Sequence, residues 1–261
     1  MISLKSPREI ALMRDAGRIV ADVLDALEKH AVPGVTTAEL DREAESIIVA
    51  RNALPAFKGY GGTRGRPAFP ASICASLNNE VVHGIPGGRT LAGGDILSID
   101  VGVSIDVGVG GERFFADAAR TVPVGHITPE AARLVTVCRE ALMRAIDAAR
   151  AGAKLSDVSR AVQRHAEANG YSVVRKFVGH GIGSQMHEEP QIPNFVSEQF
   201  ADVVLKPGMT LAIEPMINEG TFHVLTEPNG WTVVTEDGKL SAHFEHTVAV
   251  TRSGAEVLTL P

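Results

Sequence analysis

Leu91-Ala92-Gly93-Gly94-Asp95-Ile96-Leu97-Ser98-Ile99-Asp100 returns in outline as Leu205-Lys206-Pro207-Gly208-Met209-Thr210-Leu211-Ala212-Ile213-Glu214, with leucine, glycine, isoleucine and the terminal acid in register. Each copy reads as a turn leading into an apolar strand that ends on a carboxylate. Two further pairs keep the same order: Pro33 to Leu40 with Ala151 to Val158, each entering the second helix of its half, and His83-Gly84-Ile85 with His180-Gly181-Ile182. Three ordered matches predict one α/β domain (α+β type) spanning 1–261. It is built as two pseudo-symmetric halves, about 1–125 and 126–261, with a central antiparallel sheet and outer helices.

Working outward, Ser6-Pro7-Arg8-Glu9 is a capping box with proline at the first helical position, followed by Ile10, Met13, Val20, Leu24 and Leu27 near one face. Thr36 and Glu39 cap a second helix that should finish before Pro55, Thr128-Pro129-Glu130 opens a third, and Ser156 a fourth that closes at Asn169-Gly170. Residues 58 to 70 read as a long loop, and strands are expected over Ala71 to Val122, with Ile96 to Val109 continuous, and again from Tyr171 onward.

Composition narrows the class. With 44% hydrophobic and 21% charged residues the chain can bury a substantial core. A net charge of -6 gives no electrostatic reason to expect nucleic-acid binding. Two cysteines, Cys74 and Cys138, cannot build a disulfide framework or a cysteine-rich zinc site. No signal-like or membrane-length apolar run is found, so the expectation is a cytoplasmic protein, away from membranes.

The chemistry centres on Gly179-His180-Gly181-Ile182-Gly183-Ser184-Gln185-Met186-His187-Glu188-Glu189-Pro190. Alone, this stretch also fits a tight turn with two hydrogen-bonded core histidines. Acids embedded in apolar runs shift the reading: Asp100, Asp117, Glu214 and Glu245. A buried, unpartnered carboxylate is very costly, so several in one core imply cations. Four carboxylates and one histidine suit two divalent ions, cobalt, manganese, iron or zinc alike, and metal-assisted hydrolysis.

In this sequence Asn79-Glu80-Val81-Val82-His83-Gly84-Ile85-Pro86, the Gly-Asp-Ile-Leu-Ser-Ile-Asp run ending at Asp100, Ala-Asp-Ala-Ala-Arg-Thr around Asp117, Gly-His-Gly-Ile-Gly around His180, His-Glu-Glu-Pro at 187 to 190, Ile-Glu-Pro-Met around Glu214, Gly230-Trp231-Thr232 and Glu-His-Thr-Val at 245 to 248 follow one another in order. The ordered set strongly resembles the type I methionine aminopeptidases, of the pita-bread metallopeptidase fold, over essentially the whole chain. The resemblance implies that Asp100, Asp117, His180, Glu214 and Glu245 hold two metals. It implies that Glu214 handles the proton of the attacking water, that His83 contacts the scissile peptide or leaving amine, and that His187 stabilises the oxyanion. Phe57, Tyr60, Phe69, Cys74 and Trp231 match positions around the methionine side-chain pocket. The expected substrates are N-terminal Met peptides of nascent chains, met at the ribosome by a monomeric enzyme.

Two departures stand out. The loop from Gly59 to Pro70 is longer than in typical bacterial relatives. A near-tandem hexapeptide, Ile99 to Ser104 followed by Ile105 to Gly110, separates Asp100 from Asp117 by six extra residues, so either Asp100 or Asp106 could be the ligand. Register with Glu214 favours Asp100; the family's usual spacing, with a turn at Gly110-Gly111-Glu112-Arg113, favours Asp106. No amino-terminal zinc-binding extension or long type II insert is found, so the short bacterial form matches. The rival readings are an X-Pro aminopeptidase of the same fold and a non-catalytic protein-binding relative.

Overall fold

The computed structural model describes residues 2–107 and 111–261. Four helices are found among them: α1 (Pro7–His30), α2 (Thr37–Ala50), α3 (Pro129–Ala148) and α4 (Leu155–Ala168). The first-half strands are β1 (Leu54–Pro55), β2 (Ile73–Leu77), β3 (Glu80–Val82), β4 (Ile96–Val107) and β5 (Glu112–Pro123). After the second helix pair come β6 (Ser172–Val173), β7 (Gly179–Gly181), β8 (Glu188–Ile192), β9 (Thr210–Ile213), β10 (Met216–Asn218), β11 (Val224–Thr226), β12 (Val233–Thr235), β13 (Ser241–His243), β14 (Glu245–Val250) and β15 (Ala255–Val257).

Local chemistry fixes the helix starts. Ser6 and Thr36 each accept from the backbone N–H three residues on, and Glu9 and Glu39 reach back to the cap N–H, so both expected capping boxes form. Thr128 caps α3, with Pro129 behind it. The fourth helix departs from expectation: its cap is Lys154, not Ser156. The Asp157 carboxylate accepts from Lys154 N–H at 3.0 Å, while Asp202, from a distant loop, takes the Ser156 N–H.

The sheet path is β1-β4-β5-β14-β9-β7-β8, with β2 also on β4 and β15 on β14. Its adjacent pairs are antiparallel, as expected. Strands of both halves join at the β5–β14 seam, where Glu245 faces Ala119 and His246 faces Ala118. Two separate apolar clusters hold the helices on. Val20, Leu24, Leu27 and Leu40 pack with Leu97 and Ile99 in the first half. Leu134, Leu142, Leu155 and Val158 pack with Leu211 and Ile213 in the second.

The repeat extends to individual bonds. Gly34 N–H donates to Leu91 O and Leu91 N–H to Val35 O; Gly152 N–H donates to Leu205 O and Leu205 N–H to Ala153 O. The isolated bridges Thr36–Thr90 and Lys154–Val204 stand one residue before each leucine of the repeat.

The β4–β5 ladder runs from Ile96–Pro123 to Val107–Glu112 without a shift. The hexapeptide therefore lengthens both arms of a hairpin. Residues 108–110, which include the first residue of the turn expected at Gly110-Gly111-Glu112-Arg113 and the end of the expected strand to Val109, lie outside the described residues.

Candidate metal centre and substrate cavity

Register decides which side chains meet. Asp100 pairs with Ala119, two residues from Asp117, so both aspartates share one face of adjacent strands. Ala119 in turn faces Glu245 on β14. Thr247 faces Ala212 on β9, and Ala212 faces His180 on β7. Glu214, two residues past Ala212, carries the same alternation. Asp100, Asp117, Glu245, Glu214 and His180 thus come from five consecutive positions along the sheet path. The small side chains of Ala119 and Ala212 between them leave the face open.

Donor atoms of Asp117, His180 and Glu245 all lie within 4.8 Å of one another. His180 Nε2 stands 3.5 Å from Asp117 Oδ2 and 3.7 Å from Glu214 Oε1, while its Nδ1 is 2.9 Å from Gly181 O. An N–H at Nδ1 pointing to that carbonyl leaves Nε2 facing the carboxylates. Thr247, fully buried, accepts from Asp117 N–H at 3.0 Å and has its hydroxyl 2.9 Å from Asp117 Oδ1, which fixes that carboxylate.

The electrostatics call for positive charge. Burial carries Asp100 up to about 7, with Asp117 and Glu214 adding to the rise and the nearby His243 and His180 opposing it. Glu245 is pushed well above the usual carboxylate range by burial and then by Asp117, Glu214 and Asp100. For His180, burial favours the neutral ring, but Asp117 and Glu214 outweigh it and raise the imidazole to about 9. One Asp100 oxygen is buried with no hydrogen-bond partner among the described residues. Crowded carboxylates, an orphaned oxygen and an imidazole nitrogen fit divalent ions.

These five residues line a cavity of about 220 Å³ together with Phe57, Tyr60, Arg66, Phe69, Cys74, His83, Met186, His187 and Trp231. Its far wall is apolar: Phe69 meets Phe57 edge-on at 6.5 Å and Trp231 edge-on at 5.3 Å. Cys74 sits opposite Asp100 on β2; burial and then the Asp100 and Glu245 charges push its thiol well up, so it stays protonated.

His83 has a positive φ of 59°, sparsely populated for a non-glycine residue, and its ring lies edge-on to Trp231 at 6.0 Å. Burial, then the charges of His243, His187 and Arg66, pull it down to about 4, leaving a neutral imidazole. His187 stands at the mouth, its ring 4.1 Å from that of His180. Desolvation on its cavity side and then the His180 charge lower it to about 4. Tyr60 Oη is 2.7 Å from His187 Nδ1. With the phenol as donor, His187 carries its proton on Nε2, free to donate.

Asp106 is elsewhere. It faces Arg113 and holds it with two contacts of 2.6 and 2.9 Å at the exposed end of the hairpin. It shares the face of Asp100 but sits six residues along, about 20 Å at strand rise.

Four contributors escaped the sequence reading. Thr247 and His243 alternate with Glu245, a period of two that signals one strand face. Met186 lines the wall beside His187. Arg66 comes from the long loop, which folds back through Gly59 N–H to Phe69 O, Phe69 N–H to Tyr60 O and a Thr63–Arg66 bridge, and lays its guanidinium 3.9 Å over Trp231.

The model of metallopeptidase family M24 matches residues 11–252. Methionine aminopeptidase of Clostridium acetobutylicum is 50% identical over 261 residues, covering 100% of this chain and 99% of the relative. Methionine aminopeptidase 1 of Bacillus subtilis is 48% identical over 259 residues, 99% of each. The crystal structure of methionine aminopeptidase from Thermotoga maritima matches with a TM-score of 0.92 at 44% identity and covers 100% of both chains.

Proposed function

The chain belongs to metallopeptidase family M24, and from that premise we propose that it removes the N-terminal methionine of nascent chains whose second residue is small. It is a metal-dependent hydrolase of the pita-bread fold. The observation that carries the substrate reading is the coupling of an acid-rich, cation-demanding face to a slot walled by Phe57, Phe69, Cys74 and Trp231. An unbranched thioether side chain fits such a wall and gains sulfur–aromatic contacts.

Asp100, Asp117, His180, Glu214 and Glu245 would hold the divalent ions. When bound, these would polarise the scissile carbonyl and acidify a water. The remaining work belongs to side chains. Glu214 accepts the water's proton and returns it to the leaving amine. His83, neutral in this pocket, contacts the scissile peptide or that amine. His187 donates from Nε2 to the developing oxyanion, its tautomer held by Tyr60. Asp106 takes no part.

We read the chain as one catalytic unit over 1–261, working as a cytoplasmic monomer that meets its substrates at the ribosome; no described helix is long and apolar enough to cross a membrane. The test is methionine release from Met-Ala-Ser against Met-Leu-Ser, beside Ala-Pro cleavage, with and without chelator. Fast, chelator-sensitive cleavage of Met-Ala-Ser alone is expected. Equal rates on Met-Leu-Ser, or faster Ala-Pro cleavage, would sink the reading in favour of a broader or X-Pro enzyme.

A further inference from the structure

His243 is a buried histidine for which none of the chemistry above has a use. It ends β13 two residues before Glu245, and its backbone is tied on both sides to Thr121: its N–H donates to Thr121 Oγ1 at 2.9 Å, and its carbonyl accepts from the same hydroxyl at 2.8 Å. Thr121 is itself 2.8 Å from the buried Ser98 hydroxyl, so the imidazole hangs from a fixed backbone. The residue is 2% exposed, and its Nε2 has no hydrogen-bond partner among the described residues. A buried polar atom in that state costs stability unless something is meant to meet it.

What it faces is Glu214. His243 Nε2 lies 3.7 Å from Glu214 Oε2, while the other oxygen, Oε1, lies 3.7 Å from His180 Nε2. The carboxylate is bracketed, one imidazole to each oxygen. His180 belongs to the cluster with Asp117 and Glu245. Both separations are about half an ångström beyond a hydrogen bond, the looseness expected of a site that tightens when filled.

We propose that His243 is the positioning residue of Glu214: its Nε2–H donates to Oε2, which holds the carboxylate plane so that Oε1 is left to the ions and to the water's proton. The inference rests on the reading of Glu214 as ligand and proton acceptor. Neighbours that orient a ligating carboxylate in this way typically influence metal affinity or activity by about 10–100-fold. The contact is made to the carboxylate and not to substrate, so the effect belongs in ion affinity and kcat, with the peptide KM little changed.

The experiment compares His243→Leu, which has no donor, with His243→Gln, whose terminal amide carries N–H close to the Nε2 position. Manganese affinity is measured by calorimetry on chelator-stripped protein, and kcat and KM on Met-Ala-Ser. For H243L we expect affinity and kcat lowered about 10–100-fold with KM within about threefold; H243Q should recover most of both. In an E214A background, H243L should add almost nothing to the loss of manganese affinity, since the partner carboxylate is gone. A merely space-filling ring would give two folded variants that are equally impaired, and that result overturns the proposal, as does additive loss in the double variant. Should H243L not fold, His243→Met supplies the donor-free arm. If the wild-type protein binds manganese through Glu214 but fails on Met-Ala-Ser, the substrate reading falls while the calorimetry still decides on His243.

Discussion

Replacing Asp100 and Asp106 separately by asparagine sets two chemically identical side chains of a tandem repeat against each other. Asp106 is exposed and its ion pair with Arg113 is a surface one, so D106N should leave bound metal, turnover and stability nearly unchanged. Asp100 should behave oppositely in two ways. Its loss removes a carboxylate from the ion-binding face, so metal occupancy and turnover fall. In the metal-free protein, the same substitution should stabilise the fold.

The size of that gain follows from the proton affinity. The Asp100 carboxyl sits at about 7 instead of the ordinary 3.8, raised chiefly by burial and next by the neighbouring carboxylates. A raised carboxyl gives stability that is fully present below the unfolded value and is lost as pH climbs through the folded one. At 1.36 kcal/mol per tenfold in proton affinity, the metal-free fold is short of about 4 kcal/mol at pH 7. A buried amide keeps some desolvation cost, so a net gain of about 2–4 kcal/mol is expected for D100N at pH 7, shrinking towards zero near pH 4. Urea denaturation of chelator-treated protein across that pH range reads it, with metal content measured by atomic emission. Metal loss in D106N with an intact D100N reverses the assignment, and a pH-independent stability difference refutes the electrostatic account.

Thr247→Val keeps shape but removes the acceptor of the Asp117 N–H, and should cost about 1–3 kcal/mol in urea denaturation together with weaker metal binding. Tyr60→Phe deletes the contact that sets the His187 tautomer; we expect kcat on Met-Ala-Ser to fall about tenfold with metal content unchanged, and a proportionate loss of metal would show that the contact is structural. Lys5→Met removes the cation from Glu188, whose ion pair with Lys5 at 2.5 Å is nearly excluded from water, and leaves it only the Gln185 N–H and Ser184 hydroxyl as donors; it should cost about 3 kcal/mol by thermal or urea melt.

Local chemistry explains what could be read from the chain. The caps at Ser6, Thr36 and Thr128 close over three residues, so their signals sit in one short string. The cap of α4 was misplaced because the group that claims the Ser156 N–H, Asp202, arrives from 46 residues away. The acids were legible as charges inside apolar strands, and the repeat put Asp100 in register with Glu214. Their spatial union needed strand order, which no single segment encodes. Tyr60 meets His187 across 127 residues, and Arg66 covers Trp231 from a stretch that reads only as a long loop, because the bonds that fold it back carry no local signal. His243 was hidden by its position between stronger signals, although its alternation with Glu245 and Thr247 was there to be used.

The seam between β5 and β14 gives the two halves separate mechanical identities. Each has its own apolar cluster, and the sheet crosses from one to the other beside Glu245 and Ala119. Asp100 and Asp117 stand on one bank, and His180, Glu214 and Glu245 on the other. Emptied of cations, the centre crowds buried carboxyls from both banks across this joint, and Asp100 and Glu245 are accommodated there by holding on to protons. Filled, it becomes a rivet through both plates, and an ion bound only by the intact fold adds stability, about 2.7 kcal/mol when free ion stands at a hundred times its dissociation constant. With ions bound, the proposed metal centre would thus also fasten one half of the molecule to the other.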